Sequence, residues 1–556
     1  MLEQTNNYKD LYKNFSWEIP EFYNIGFDVC DKWAEKDPNK TAIISALGSE
    51  QKTTSFGELK KLSNKTANSL IAKGVNTGDR VGILLPQSVD TAASHIAVYK
   101  MGAIAVPLFV LFGPSALEHR IMDAGIKLII TNLHGAKKLN QMSAQASEQL
   151  TVLLNEDISL QGKQALNFQT FDLKNLLREA SEEFTLLNTK ADDPALIIYT
   201  SGTTGASKGA LHAHRVLLGH LPGMEMSHDF FPKPEDVIWT PADWAWIGGL
   251  LDVLLPALHH GVPVVAGRFD KFTGEAAFEL MSKCEVTNVF MPSTALKMLR
   301  GTDYDAKTYP LKLRTIASGG ETLGTDLLNW GKETLGVNIN EFYGQTECNL
   351  IISSCATIME AKPGIMGRPV PGHIVKVLRP DGSDCSLKEQ GLIAVKKNDP
   401  VMFLNYWNNK EATQNKFIHN YLLTGDIGQY EEDGWIRFVG RDDDVITSAG
   451  YRIGPGEIEE TIIKHPAVYM VAVVGKPDKL RTEIVKAYVV LHEKEQASDK
   501  LADDIKTFVK DHLASYEYPR EVEFITELPL TNTGKIIRRT LREQAREEYE
   551  RAENEQ

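Results

Sequence analysis

Cysteine is scarce in this sequence: Cys30, Cys284, Cys348, Cys355 and Cys385 are the only five in 556 residues, widely spaced and with no CxxC pair. That excludes a disulfide framework and offers no zinc-site spacing. Long apolar runs are also missing. The longest, residues 101–113, is broken by Pro107 and falls short of the roughly 20 residues a bilayer span requires. Basic charge is in deficit, with 60 Lys and Arg against 74 Asp and Glu and a net charge of −14. A general nucleic-acid binder carries a basic face for phosphates, so this balance argues against one, while leaving room for a local cationic pocket. The first residues lack the basic-then-apolar pattern of a signal peptide, and Asn554, Glu555 and Gln556 form neither a peroxisomal nor a retention tag. The expected location is the cytoplasm.

What is present is ordinary for a soluble globular chain, 42% hydrophobic and 24% charged, and its length implies at least two folding units. Through the first 350 residues, short apolar runs (81–85, 128–130, 195–199, 237–239, 262–265, 286–290) alternate with helix-length stretches such as the amphipathic 89–100 and 274–282. This alternation predicts α/β architecture with mainly parallel sheets, and enough strands for two doubly wound subdomains. From about residue 364, turn signals separate short alternating runs, predicting a small antiparallel sheet or β-barrel. A third texture follows Arg441, with strands at 469–474 and 484–491 and helices near 501–515 and 536–551, predicting a smaller α+β domain.

Segment 199–209 is the most informative. It follows an apolar strand, holds Gly202, Gly205 and Gly209 among the hydroxyls of Thr200, Ser201, Thr203, Thr204 and Ser207, and ends on Lys208 before a helical pattern from about His212. Such a loop can present backbone amides and a cation to phosphate. It is not a Walker A loop, since Gly209 follows Lys208 where that motif needs Ser or Thr. Glu347, ending the run 341–347, is placed to hold Mg²⁺ between phosphates, because magnesium prefers oxygen ligands. Segment 317–322 adds glycines after a strand. Asp426 and Arg441 are candidates for ribose contacts, and 531–535 is a polar turn presenting Lys535. Arg538, Arg539 and Arg542 read as a solvated basic helix face.

Together and in this order, the motifs at 199–209, 343–347, 424–426, 440–444, 451–459 and 533–535 resemble those of the acyl-adenylate-forming superfamily. The resemblance is nearest to short- and medium-chain acyl-CoA synthetases. It implies two half-reactions: a carboxylate attacks the ATP α-phosphate to give an acyl-adenylate and pyrophosphate, and the CoA thiol then displaces AMP. It implies a bridging role for Lys535 in the first step, Mg²⁺ at Glu347, α-phosphate contact from Thr346, an adenine border of Gly320, Glu321 and Thr322, and ribose contacts from Asp426 and Arg441. Arg452 is implied near the phosphates or CoA. Residues 1–442 would form the adenylation domain and 443–556 a mobile cap pivoting at Asp443. In relatives restricted to acetate, bulky side chains close the acyl pocket; Gly248, Gly319 and Gly344 stand at the matching positions, with Trp246 and Trp244 as candidate walls. The implied acid is therefore longer than acetate. Transfer to a separate carrier protein instead of CoA, or an ATP-sensing switch without acyl chemistry, are the rival readings. Small-molecule acid, ATP and CoA are the expected partners.

Overall fold

The computed structural model describes the chain apart from residues 48–49, 157–165, 201–206, 268, 270, 321–322, 360, 449–450, 480, 514–516, 532–534 and 555–556, and apart from the side chains of 47, 452 and 552–554. It divides into two compact units, Met1–Ile374 with Lys396–Phe417, and Val375–Val395 with Ile418–Gln556.

Among the described residues, the larger unit holds a nine-stranded and an eight-stranded sheet. Their interior pairings are parallel, as in Val81↔Leu128 and Ile316↔Ile339. Antiparallel pairs lie towards one end of each sheet, Thr41–Leu47 with Glu50–Ser55 on one and Pro194–Thr200 with Lys208–Ala213 on the other, the latter flanked by one further short strand. The strands are short and rich in Val, Ile and Leu because both faces are covered by helices. Helix starts follow local capping: Ser55 and Glu58 form a reciprocal box before Phe56–Ala72, and Ser88 Oγ accepts from Thr91 N before Val89–Lys100. The latter is buried from Thr91 through Lys100, so its expected amphipathic character is not realised. Lys100 is tolerated inside because Asp31 lies 2.6 Å from its ammonium and Ser63 and Asn64 accept from it.

The smaller unit combines two five-stranded sheets among the described residues. One is built on Val375–Leu378, Gln390–Lys396 and Tyr421–Tyr430; the other centres on the long pair Val468–Asp478 and Thr482–Leu491. Compactness thus groups the small sheet with the C-terminal segment, whereas the sequence places a boundary at 442/443. Local packing explains the grouping: a Cβ on Gly454 would sit 2.1 Å from the Val439 carbonyl oxygen, so the backbones meet there. The helix Arg538–Asn554 also reaches back. Arg542 pairs with Asp444, and Arg538 lies 2.5 Å from Glu459. The solvated face expected for three arginines is therefore realised only by Arg539, which is exposed and pairs with Glu543 at 2.7 Å. The same helix is anchored by Lys486, buried on its strand and 2.5 Å from Glu548.

Candidate active site

The nine-stranded sheet brings several expected residues to the carboxyl ends of its strands, the usual ligand edge of an open α/β sheet. Thr315–Gly319 ends at Gly319, and Gly320 follows with φ +95°, a left-handed conformation that only glycine adopts without strain. Glu321 and Thr322 lie outside the described residues. Ile339–Gln345 ends just before the turn at Thr346 and Glu347, and Cys348–Ser353 returns antiparallel.

Glu347 is buried, and its carboxylate accepts a hydrogen bond from the Tyr406 hydroxyl. Its carbonyl accepts from Phe403 N at 2.9 Å. Tyr406 lies on the two-residue strand Asn405–Tyr406, paired with Ala210 at the edge of the eight-stranded sheet. Lys208 Nζ sits 5.5 Å from the centroid of the Tyr406 ring, within cation–π range. One side chain therefore joins a carboxylate from one sheet to a cation at the edge of the other. No sequence motif pointed to Tyr406; its role comes from the pairing of a short edge strand 59 residues beyond Glu347.

The glycine- and hydroxyl-rich segment lies between Thr200 and Lys208, which face each other as strand partners. It is a hairpin connection: Lys208–Ala213 is a strand, and the next helix begins only at Val216. The expected strand–loop–helix order is corrected accordingly: a strand stands between this segment and the next helix. Ser201, Gly202, Thr203, Thr204 and Gly205 lie outside the described residues. Ser207 Oγ is buried with no partner among the described residues, while its carbonyl faces His119 Nε2 at 3.0 Å. Lys208 also lines a cavity of about 370 Å³ with Asn409, Glu411 and Asn415.

The chain belongs to the AMP-binding enzyme family, whose pattern matches residues 30–407, with the AMP-binding enzyme C-terminal domain matching 457–535. The acetyl-coenzyme A synthetase of Bacillus subtilis (strain 168) is 32% identical over 554 residues, covering 96% of this chain and 94% of that protein. The human mitochondrial acyl-coenzyme A synthetase ACSM1 is 33% identical over 542 residues, covering 95% and 92%. Among solved structures, the anthranilate CoA ligase AuaEII in complex with anthranoyl-AMP has a TM-score of 0.82 at 27% identity, covering 95% of this chain and 98% of that one.

In this AMP-binding enzyme the smaller unit holds the remaining expected residues. Asp426 and Arg441 are cross-strand partners, Arg441 donating to Asp426 Oδ1 at 2.8 Å. Gly425 precedes Asp426 with φ +78°, and a Cβ there would stand 3.5 Å from the Arg441 guanidinium. Asp443 lies 3.6 Å from Arg441 Nε and 3.8 Å from Arg542. The backbone of Arg452 pairs with Thr447; its side chain lies outside the described atoms. Lys535 is exposed, and Thr531 Oγ1 accepts from its backbone N at 3.0 Å.

The expected acyl-pocket glycines are each closely approached by neighbouring atoms. A Cβ on Gly344 would fall 2.2 Å from Leu350 N and 2.6 Å from Asn349 Cα, so glycine there permits the two strands to close together. At Gly248 and Gly319 the corresponding space is filled by the rings of Phe290, at 2.8 Å, and Phe342, at 2.7 Å. Those rings pack together with centroids 5.2 Å apart. Trp246 joins Phe109 and Phe112 in an aromatic cluster, whereas Trp244 is core.

Proposed function

We propose that this AMP-binding enzyme is an AMP-forming acyl-CoA synthetase acting on carboxylic acids larger than acetate. The observation that supports it most is the Lys208–Tyr406–Glu347 arrangement at the strand ends beside the hairpin 200–208. Nucleotidyl transfer develops charge on phosphate oxygens, so it needs fixed cations and a metal-competent carboxylate more than a protein nucleophile.

Glu347 fits Mg²⁺. Its carboxylate is an oxygen ligand held in place by the Tyr406 hydroxyl. That suits an ion that takes one or two carboxylates and completes its shell with phosphate oxygens and water. When bound, Mg²⁺ neutralises phosphate charge. Lys208 and the hairpin amides hold phosphate, Thr346 contacts the α-phosphate, and Asp426, oriented by Arg441, accepts from ribose hydroxyls. Gly320, Glu321 and Thr322 border adenine. In the first half-reaction a substrate carboxylate oxygen bonds to the α-phosphorus and pyrophosphate leaves, with Lys535 bridging the reactants. In the second, the thiol sulfur of CoA bonds to the acyl carbon, AMP leaves, and the thiol proton passes to solvent. Arg452 serves the phosphates or CoA. Residues 443–556 turn about Asp443 between the two steps.

The larger acid is supported by position 248, where the three nearest atoms to the space beyond glycine belong to the side chains of Phe290 and Asp252 and not to backbone. The test is AMP release from ATP with a graded series of acids, with and without CoA. CoA-dependent AMP release that rises beyond acetate is expected. ADP formation, or turnover independent of CoA, would reject the reading.

A further inference from the structure

Asp252 is an oddity of the larger unit. It lies on the helical run Leu250–Leu254, every residue of which is buried, and is itself 2% exposed. Its Oδ1 accepts from Asn349 Nδ2 at 2.6 Å, tying this run to the strand that begins immediately after Glu347. Its Oδ2 has no hydrogen-bond partner among the described residues. Burial pushes the carboxyl well above its ordinary range, only partly offset by the Asn349 hydrogen bond, so the protonated form, able to donate as well as accept, is favoured. A half-satisfied carboxyl in an apolar interior is costly, and such groups call for a specific reason.

Its orientation supplies one. Oδ2 lies 3.6 Å from where a Cβ on Gly248 would stand, one helical turn earlier on the same face. Because residue 248 has no side chain, nothing from that turn covers the carboxyl. Phe290 supplies the adjoining apolar surface, its ring 2.8 Å from the same Cβ position. Asn349, which braces Asp252, also packs against Gly344. The carboxyl thus lies beside the Gly248 position next to the Phe290 ring, and is held there by Asn349.

We propose that Asp252, braced by Asn349, selects a carboxylic acid that bears a hydroxyl on its chain, the hydroxyl both donating to and accepting from the Asp252 carboxyl. This rests on the acyl-CoA synthetase reading and deepens it. A neutral carboxyl and a hydroxyl match in having a donor and an acceptor each, whereas a plain alkyl chain leaves Oδ2 unsatisfied. A site built to hydrogen-bond a substrate group discriminates against the analogue lacking it much more strongly than an apolar pocket discriminates by one methylene.

The test measures kcat/KM for CoA-dependent AMP release with matched pairs: butanoate, pentanoate and hexanoate against their hydroxylated counterparts, and against amino-substituted ones. The unsubstituted protein should favour a hydroxy acid over its alkyl partner by about tenfold or more. Asp252→Leu should bring that ratio close to one, and Asp252→Asn should retain a clear preference. A purely structural role would lower both members of a pair together and leave the ratio in place, which overturns the proposal. So does a preference for alkyl or amino-substituted acids in the unsubstituted protein, a result that needs no variant to fold. AMP release with every acid but no hydroxyl preference rejects this inference alone. Absence of AMP release with any acid rejects the acyl-CoA synthetase reading and this inference with it.

Discussion

The Tyr406 hydroxyl donates a hydrogen bond to Glu347, and the same ring stands 5.5 Å from Lys208 Nζ, so one phenol orients the proposed metal carboxylate and faces the proposed phosphate cation. Tyr406→Phe keeps the ring and removes the donor. Partners that orient a metal ligand typically alter metal affinity by about 10–100-fold. The Mg²⁺ concentration for half-maximal AMP release should rise by about tenfold while thermal stability changes little. An unchanged Mg²⁺ dependence would separate Tyr406 from the site.

Lys535 is exposed, so removal of its side chain should leave folding intact. Lys535→Ala is expected to abolish acid-dependent exchange of pyrophosphate into ATP and to spare thioester formation from preformed acyl-adenylate. Loss of a positioned charge-stabilising group typically costs about 10²–10³ in rate. Equal loss in both half-reactions would remove Lys535 from the first step.

The glycines predict different outcomes. Gly344→Ala places a Cβ 2.2 Å from a backbone nitrogen and should destabilise the larger unit by about 1–3 kcal/mol or more, seen as a lowered Tm. Gly248→Ala meets the Phe290 ring at 2.8 Å and Asp252 Oδ2 at 3.6 Å, side-chain atoms that can shift, so Tm should fall less than in Gly344→Ala while preference moves towards shorter acids. A chain-length profile of AMP release reads the second effect.

Buried histidines set an acid limit on stability. Burial pulls His95, His214 and His228 down to about 3 from the usual 6.5. Each stays neutral when folded and takes up a proton when unfolded, so its contribution is complete above about pH 6.5 and drains as pH falls towards 3. The slope is about 1.4 kcal/mol per pH unit for each group. Tm should therefore drop steeply between pH 6.5 and 5. His95→Gln should make that drop shallower.

Arg542 pairs with Asp444 and lies 3.8 Å from Asp443, tying the C-terminal helix to the proposed pivot. Arg542→Ala should change the ratio of adenylation to thioester formation, and added salt should reduce the difference between the variant and the parent protein. A ratio equal to that of the parent would dissociate this contact from the motion.

The strand at Pro194–Thr200 is legible because five consecutive apolar residues end at a glycine-rich segment. The strand that follows is not. The short run Gly209, Ala210, Leu211, His212 and Ala213 suits a helix start as well as a strand, and only pairing with Ile197 and Ile198 decides between them. Glu347 and Lys208 could be singled out from local context, whereas Tyr406 could not, since its meaning lies in a contact across 59 residues. The pocket glycines depend on distant residues for the same reason: whether a missing side chain leaves room is set by Phe290, Phe342 and Leu350, which approach from other strands. Charge was equally ambiguous at the C-terminus, where Arg538 and Arg542 meet carboxylates about 80 and 98 residues away in the chain.

The chain passes between its two compact units three times, after Ile374, after Val395 and after Phe417. Three covalent strands therefore run between the same two units. Residues 442–445, by contrast, are the only covalent passage from the small sheet to everything that follows. The proposed pivot at Asp443 therefore lies inside one compact unit, on a single thread of chain, and not at a crossing between units.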